Sequence, residues 1–97
     1  TFPGKHDGSP CERLAATIWH ELLAGCQYLI DLHSGGVDYD FLPLTGFYGP
    51  AALENPSFAA AVAFGLLDLW QLPHTAGVLS YEAHAAGLAA IGSEYRG

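Results

Sequence analysis

Two residues stand where α/β proteins place their chemistry. The stretch Tyr28-Leu29-Ile30-Asp31-Leu32-His33-Ser34-Gly35-Gly36 closes an apolar run with a histidine and then turns on two glycines. Ligands of open α/β sheets bind outside the carboxyl ends of the strands. An imidazole there has the chemistry of a metal ligand, and the glycines let a substrate come close to the backbone. Ser34 and Gly35 are the expected substrate contacts. The plain alternative is a histidine that caps the strand by bonding a neighbouring carbonyl. Glu94 is the second candidate, at the carboxyl end of the last apolar run, Leu88 to Ser93. If the two strands are parallel neighbours, both side chains reach one edge of the sheet. A metal ligand beside a carboxylate suits metal-assisted hydrolysis. The cation polarises a carbonyl and acidifies bound water, and the carboxylate carries the proton to the leaving group. The alternative for Glu94 is an ion pair with Arg96. Asp31 either orients the histidine or bonds backbone, and the alternation of side chains along a strand favours backbone.

The elements that position these residues follow from local pattern. Ser9-Pro10-Cys11-Glu12 is a capping box with proline in the first helical turn. Leu14, Ala15, Ile18, Trp19, Leu22 and Leu23 recur at helical spacing, which predicts a face packed on a sheet, with Gly25 as the stop. His20 and Glu21 fall on the solvated side. A strand over Tyr28–Leu32 and a short one over Phe41–Leu44 come next, with Thr45–Pro50 read as a loop. Asn55-Pro56 opens a second, mostly buried helix through Phe58–Leu67. Leu69–Leu72 reads as a strand, Gly77–Ala86 as a third helix, and Leu88–Ser93 as the last strand. His74 reads as a loop residue and His84 as a surface or boundary one. The alternation predicts an α/β fold, a mainly parallel or mixed sheet with helices on both faces.

Composition narrows the function. Ten acidic against three basic side chains give a net charge of -7, which argues against nucleic acid and against an anionic membrane surface. No apolar run approaches the ~18 residues of a membrane span. Cys11 and Cys26 sit roughly 22 Å apart along one helix, too far for a disulfide. Free buried thiols in a reducing cytoplasm are the expectation. The chain opens on Thr1 and stops directly after a strand, and reads as a segment of a longer polypeptide.

Phe2-Pro3-Gly4, Gly8-Ser9 with Glu12-Arg13-Leu14-Ala15, Asp31-Leu32-His33-Ser34-Gly35-Gly36 and Ser93-Glu94-Tyr95-Arg96-Gly97 together resemble the succinylglutamate desuccinylase/aspartoacylase family of the zinc carboxypeptidase superfamily. The resemblance implies a zinc hydrolase that removes an acyl group from the amine of an amino acid or similar small molecule. In such enzymes a His-x-x-Glu pair and a later histidine hold zinc, and a glutamate further on is general base and acid. The later histidine falls on His33 and the catalytic glutamate on Glu94. No His-x-x-Glu occurs here, and the resemblance places that pair upstream of Thr1. The 97 residues are then one partial catalytic domain, expected to be inactive alone, to bind zinc poorly and to expose sheet edges and apolar surface. The alternatives are a zinc carboxypeptidase acting on peptides and a non-catalytic α/β module.

Overall fold

The computed structural model describes residues 1–97. Helix α1 (Pro10–Thr17) begins as its capping box dictates: the Ser9 Oγ accepts from the Glu12 amide at 3.2 Å, and the Glu12 carboxylate accepts from the Ser9 amide at 3.1 Å. It runs on into a π-helical turn, Ile18–Leu22. Strand β1 (Tyr28–His33) is followed by β2 (Phe41–Phe47), α2 (Pro56–Phe64), β3 (Asp68–Gln71), α3 (Leu79–Ala85) and β4 (Ala89–Arg96).

The four strands form one mixed sheet in the order β1-β4-β2-β3. β4 is parallel to β1 and antiparallel to β2, and β2 is parallel to β3. Thr45–Phe47 is therefore strand rather than loop. Gly46 reads as a breaker in isolation, but it pairs with Gly92 on one side and Trp70 on the other. Pro43, which has no N–H to give a ladder, lies where the β2–β4 register shifts between Phe41 and Leu44. Strand β4 also outruns its expected end, so Glu94 lies within the strand and is held by pairing on both sides.

Alternation assigns the two faces of the sheet. Phe47, Ile91 and Leu69 face α2, where they pack against Phe58, Ala60 and Ala61. Asn55 caps α2 by accepting from the Ser57 amide at 3.2 Å, and Gly65 ends it in the left-handed region at φ 92°. Ser57 ties the layers together: its Oγ accepts from the Tyr48 amide at 2.9 Å and donates to the Ala90 carbonyl at 2.7 Å. Helix α3 packs on β4 and β1, on the opposite face. The cleft opens beside it.

Two expectations for the first helix give way. Leu14 and Leu22, read as its buried face, are exposed. Helical periodicity marks a face that seeks cover without saying what covers it. Cys11 and Cys26 are free, as their separation requires, but exposed rather than buried. Strand β1 is an edge, and its Tyr28, Ile30 and Leu32 leave apolar surface open.

Candidate active site

His33 is the last residue of β1, and the parallel register pairs it with Glu94 on β4. Side chains at paired positions of neighbouring strands lie about 5 Å apart, so the topology brings the two candidates together. They share a cleft of about 370 Å³ with Asp31, Leu44, Gly46, Trp70, Leu72 and Gly92 among its lining residues.

Asp31 does more than bond backbone. It lies two residues before His33, hence on the same face of the strand, and its Oδ1 is 3.0 Å from His33 Nε2. Alternation along the strand therefore supports the orienting role of Asp31 rather than a bond to backbone. The hydrogen bond that His33 donates to Asp31, reinforced by the charges of Asp31 and Glu94, holds the His33 pKa above its ordinary value against the effect of burial. A neutral imidazole that donates from Nε2 keeps Nδ1 as its acceptor.

Glu94 is not paired with Arg96, which instead lies 3.8 Å from Asp40. Its Oε2 is buried and has no hydrogen-bond partner. An unpartnered buried carboxylate oxygen is costly to keep. The residue itself lines the cleft beside His33.

Ser34 and Gly35 stand outside the cleft wall. The Ser34 Oγ accepts from the Gly36 amide at 3.4 Å, and the Gly35 amide donates to the Arg96 carbonyl at 2.7 Å. A side chain on Gly35 would run into the Tyr39 carbonyl, so this glycine answers to close backbone packing. The structure gives these residues the work of a turn that secures the ends of β1 and β4.

His20 and Glu21 are exposed, as their place on the helix implies. His74 and His84 join Tyr48 and Tyr81 in a cluster of rings, of which Tyr48 and His84 are stacked. His84 lies 5.4 Å from Tyr48 and 6.1 Å from His74, centre to centre. Burial, then the neighbouring His74, lowers the His84 pKa. The Tyr48 hydroxyl shares a hydrogen bond of 2.7 Å with the Ser80 Oγ at the inner end of the cleft. Tyr48, Leu72 and Trp70 also line the cleft, and no local sequence pattern marks them, because their part depends on tertiary packing.

No three His, Cys, Asp or Glu side chains converge as a metal site. A catalytic zinc takes three protein ligands, so these residues do not make up that site by themselves. His33 fits as one ligand of it, with Asp31 as the carboxylate that orients a liganding imidazole.

This mixed α/β fold has counterparts among solved structures. The product-bound ectoine utilization protein EutE (DoeB) from Ruegeria pomeroyi superposes with a TM-score of 0.84 at 29% identity, over 99% of this chain and 30% of that one. A succinylglutamate desuccinylase/aspartoacylase from Rhodobacter sphaeroides gives 0.82 at 26% identity, over 99% and 29%. An aspartoacylase family protein from Mesorhizobium loti gives 0.76 at 32% identity, over 97% and 31%. No family model and no curated protein matches the chain. In fold and sequence the chain matches a partial segment of succinylglutamate desuccinylase/aspartoacylase family proteins. It spans about a third of the length of these relatives.

Proposed function

We propose that these residues form part of the catalytic domain of a zinc-dependent amide hydrolase that removes the acyl group from an N-acyl amino acid or related small amide. The observation that carries the reading is the buried, unpartnered Glu94 oxygen beside His33, itself held by Asp31, in one cleft. The likeness to desuccinylase and aspartoacylase structures supports the reaction class. A product-bound structure among the relatives supports a small-molecule substrate.

His33 supplies one zinc ligand, and the remaining ligands come from outside these 97 residues. The bound metal would polarise the amide carbonyl and acidify a water. Asp31 keeps the imidazole in one orientation and tautomer. Glu94 accepts the proton of the attacking water and returns it to the departing nitrogen, as one carboxylate can act first as base and then as acid. Its place within β4 fixes it relative to His33. The net charge of -7 supports a protein without nucleic-acid or membrane partners, and no helix is long and apolar enough to cross a membrane. The two free thiols, Cys11 and Cys26, suit the reducing cytoplasm in which we propose the protein works.

Hydrolysis of N-acyl amino acids by the full-length protein tests this, with dipeptides as the competing substrates. The acyl amides should be cleaved preferentially, and Glu94→Gln should lower kcat by a factor of about 10²–10⁴, the range for loss of a general acid–base group. Wild-type turnover in Glu94→Gln would end the assignment.

A further inference from the structure

Next to the His33–Glu94 pair, one row of residues crosses the whole sheet. The backbone register aligns Asp31 on β1 with Gly92 on β4, Gly92 with Gly46 on β2, and Gly46 with Trp70 on β3. All four line the cleft. With strands ~4.8 Å apart, Asp31 and Trp70 are separated by roughly 14 Å. Between them lie two positions without side chains, in the middle of a sheet where glycine weakens a strand and marks close approach.

The two glycines differ. A methyl group on Gly46 would collide with the side chain of Leu72, which already covers that position. A methyl group on Gly92 would meet nothing within 4 Å. Neither glycine has a positive φ, so backbone conformation does not call for one. The space over Gly92 stays open because the side chain is absent. At one end of that space stand Asp31, His33 and Glu94. At the other stand Leu44, Leu72 and Trp70, and Trp70 is 59% exposed.

We infer that the trough over Gly92 receives an apolar portion of the substrate, an alkyl chain or small ring of a few carbons attached to the reacting amide. The inference rests on the hydrolase reading for what the occupant is. The substituent packs on Leu44, Leu72 and Trp70 while the amide lies at His33 and Glu94. Gly92 and Trp70 are then specificity-determining residues: the first sets how deep a substituent can lie, and the second forms the far wall. A carboxylate on that substituent would have to shed water against an apolar wall and face the charges of Asp31 and Glu94, which is unfavourable.

The test titrates the full-length protein with acetate, butyrate, hexanoate and succinate, and with the n-alkylamines, read by tryptophan fluorescence and calorimetry. Binding of one of the two series should tighten about three- to fourfold per methylene, the usual gain for burying that group. The series that does so identifies the acyl or the amine side as the occupant. Butyrate should bind more tightly than succinate, its four-carbon dicarboxylate counterpart. Gly92→Val should remove the dependence on chain length, and should lower kcat/KM for N-hexanoyl relative to N-acetyl amino acids at least tenfold. Gly92→Ala, which has open room for its methyl, carries the same test if the valine variant does not fold. Trp70→Ala should weaken the longer ligands most.

Succinate binding as tightly as butyrate would overturn the inference, as would chain-length dependence that survives both Gly92 variants. Binding that grows with chain length in a protein that hydrolyses none of the amides would sink the hydrolase reading and leave the trough. Amide hydrolysis indifferent to chain length would do the reverse.

Discussion

Replacing Ser57 with alanine should loosen the sheet beneath the site. The side chain is fully buried, and its hydroxyl joins the Tyr48 amide at the end of β2 to the Ala90 carbonyl on β4. Ala90 precedes Gly92 by two residues and Glu94 by four, so the bridge helps set the strand that carries the glutamate. The substitution leaves a buried donor and a buried acceptor without this partner. Each such loss costs about 1–3 kcal/mol. Alanine near the start of α2 recovers about 0.5 kcal/mol of helix propensity. The net expectation is destabilisation of about 1.5–5.5 kcal/mol, a large fraction of the 5–15 kcal/mol that holds a typical domain together. Urea unfolding reads this as a midpoint lowered by about 1 M or more at unchanged slope. A change below about 0.5 kcal/mol, the scale of an ordinary surface substitution, would refute the reasoning and show that Tyr48 and Ala90 find other partners.

Two pH effects of opposite sign follow. His33 has its folded pKa raised by Asp31, so its contribution to stability is full below the unfolded value near 6.5 and is lost as pH rises through the higher folded value. Asp31→Asn should bring the His33 titration down, read by NMR of the imidazole protons in metal-free protein, and should flatten that part of the stability profile. An unmoved His33 titration would remove Asp31 from its assigned role. His84 has its folded pKa lowered by burial and by His74, so stability falls as pH drops below about 6.5 and levels off below the folded pKa. His84→Gln should make the protein less sensitive to acid in urea unfolding; an unchanged profile would contradict the burial argument.

What the sequence disclosed was mostly local. The capping box at Ser9, the Asn55 cap and the apolar runs of β1 and β4 each state their own conformation. The parallel pairing that joins His33 to Glu94 could be framed from the two strand ends alone. Gly46 could not be read correctly, because only its partners on both sides and Leu72 above it explain a glycine inside a strand. Asp31 is legible by the period of two, which sets it on the same face of β1 as His33. Trp70 and Leu72 belong to an element expected near its observed place, yet their role as cleft walls depends on β3 lying beside β2. The exposed Leu14 and Leu22 show the limit of periodicity, which shows that a face is apolar and leaves its partner unnamed.

The most direct test of the central claim measures metal content and amide hydrolysis together, on the full-length protein and its His33→Ala and Glu94→Gln variants. His33→Ala should lose zinc and activity together. Glu94→Gln should keep zinc and lose turnover by orders of magnitude, because its side chain moves protons and holds no metal. Both variants retaining metal and activity would contradict the account and leave the likeness as one of fold alone.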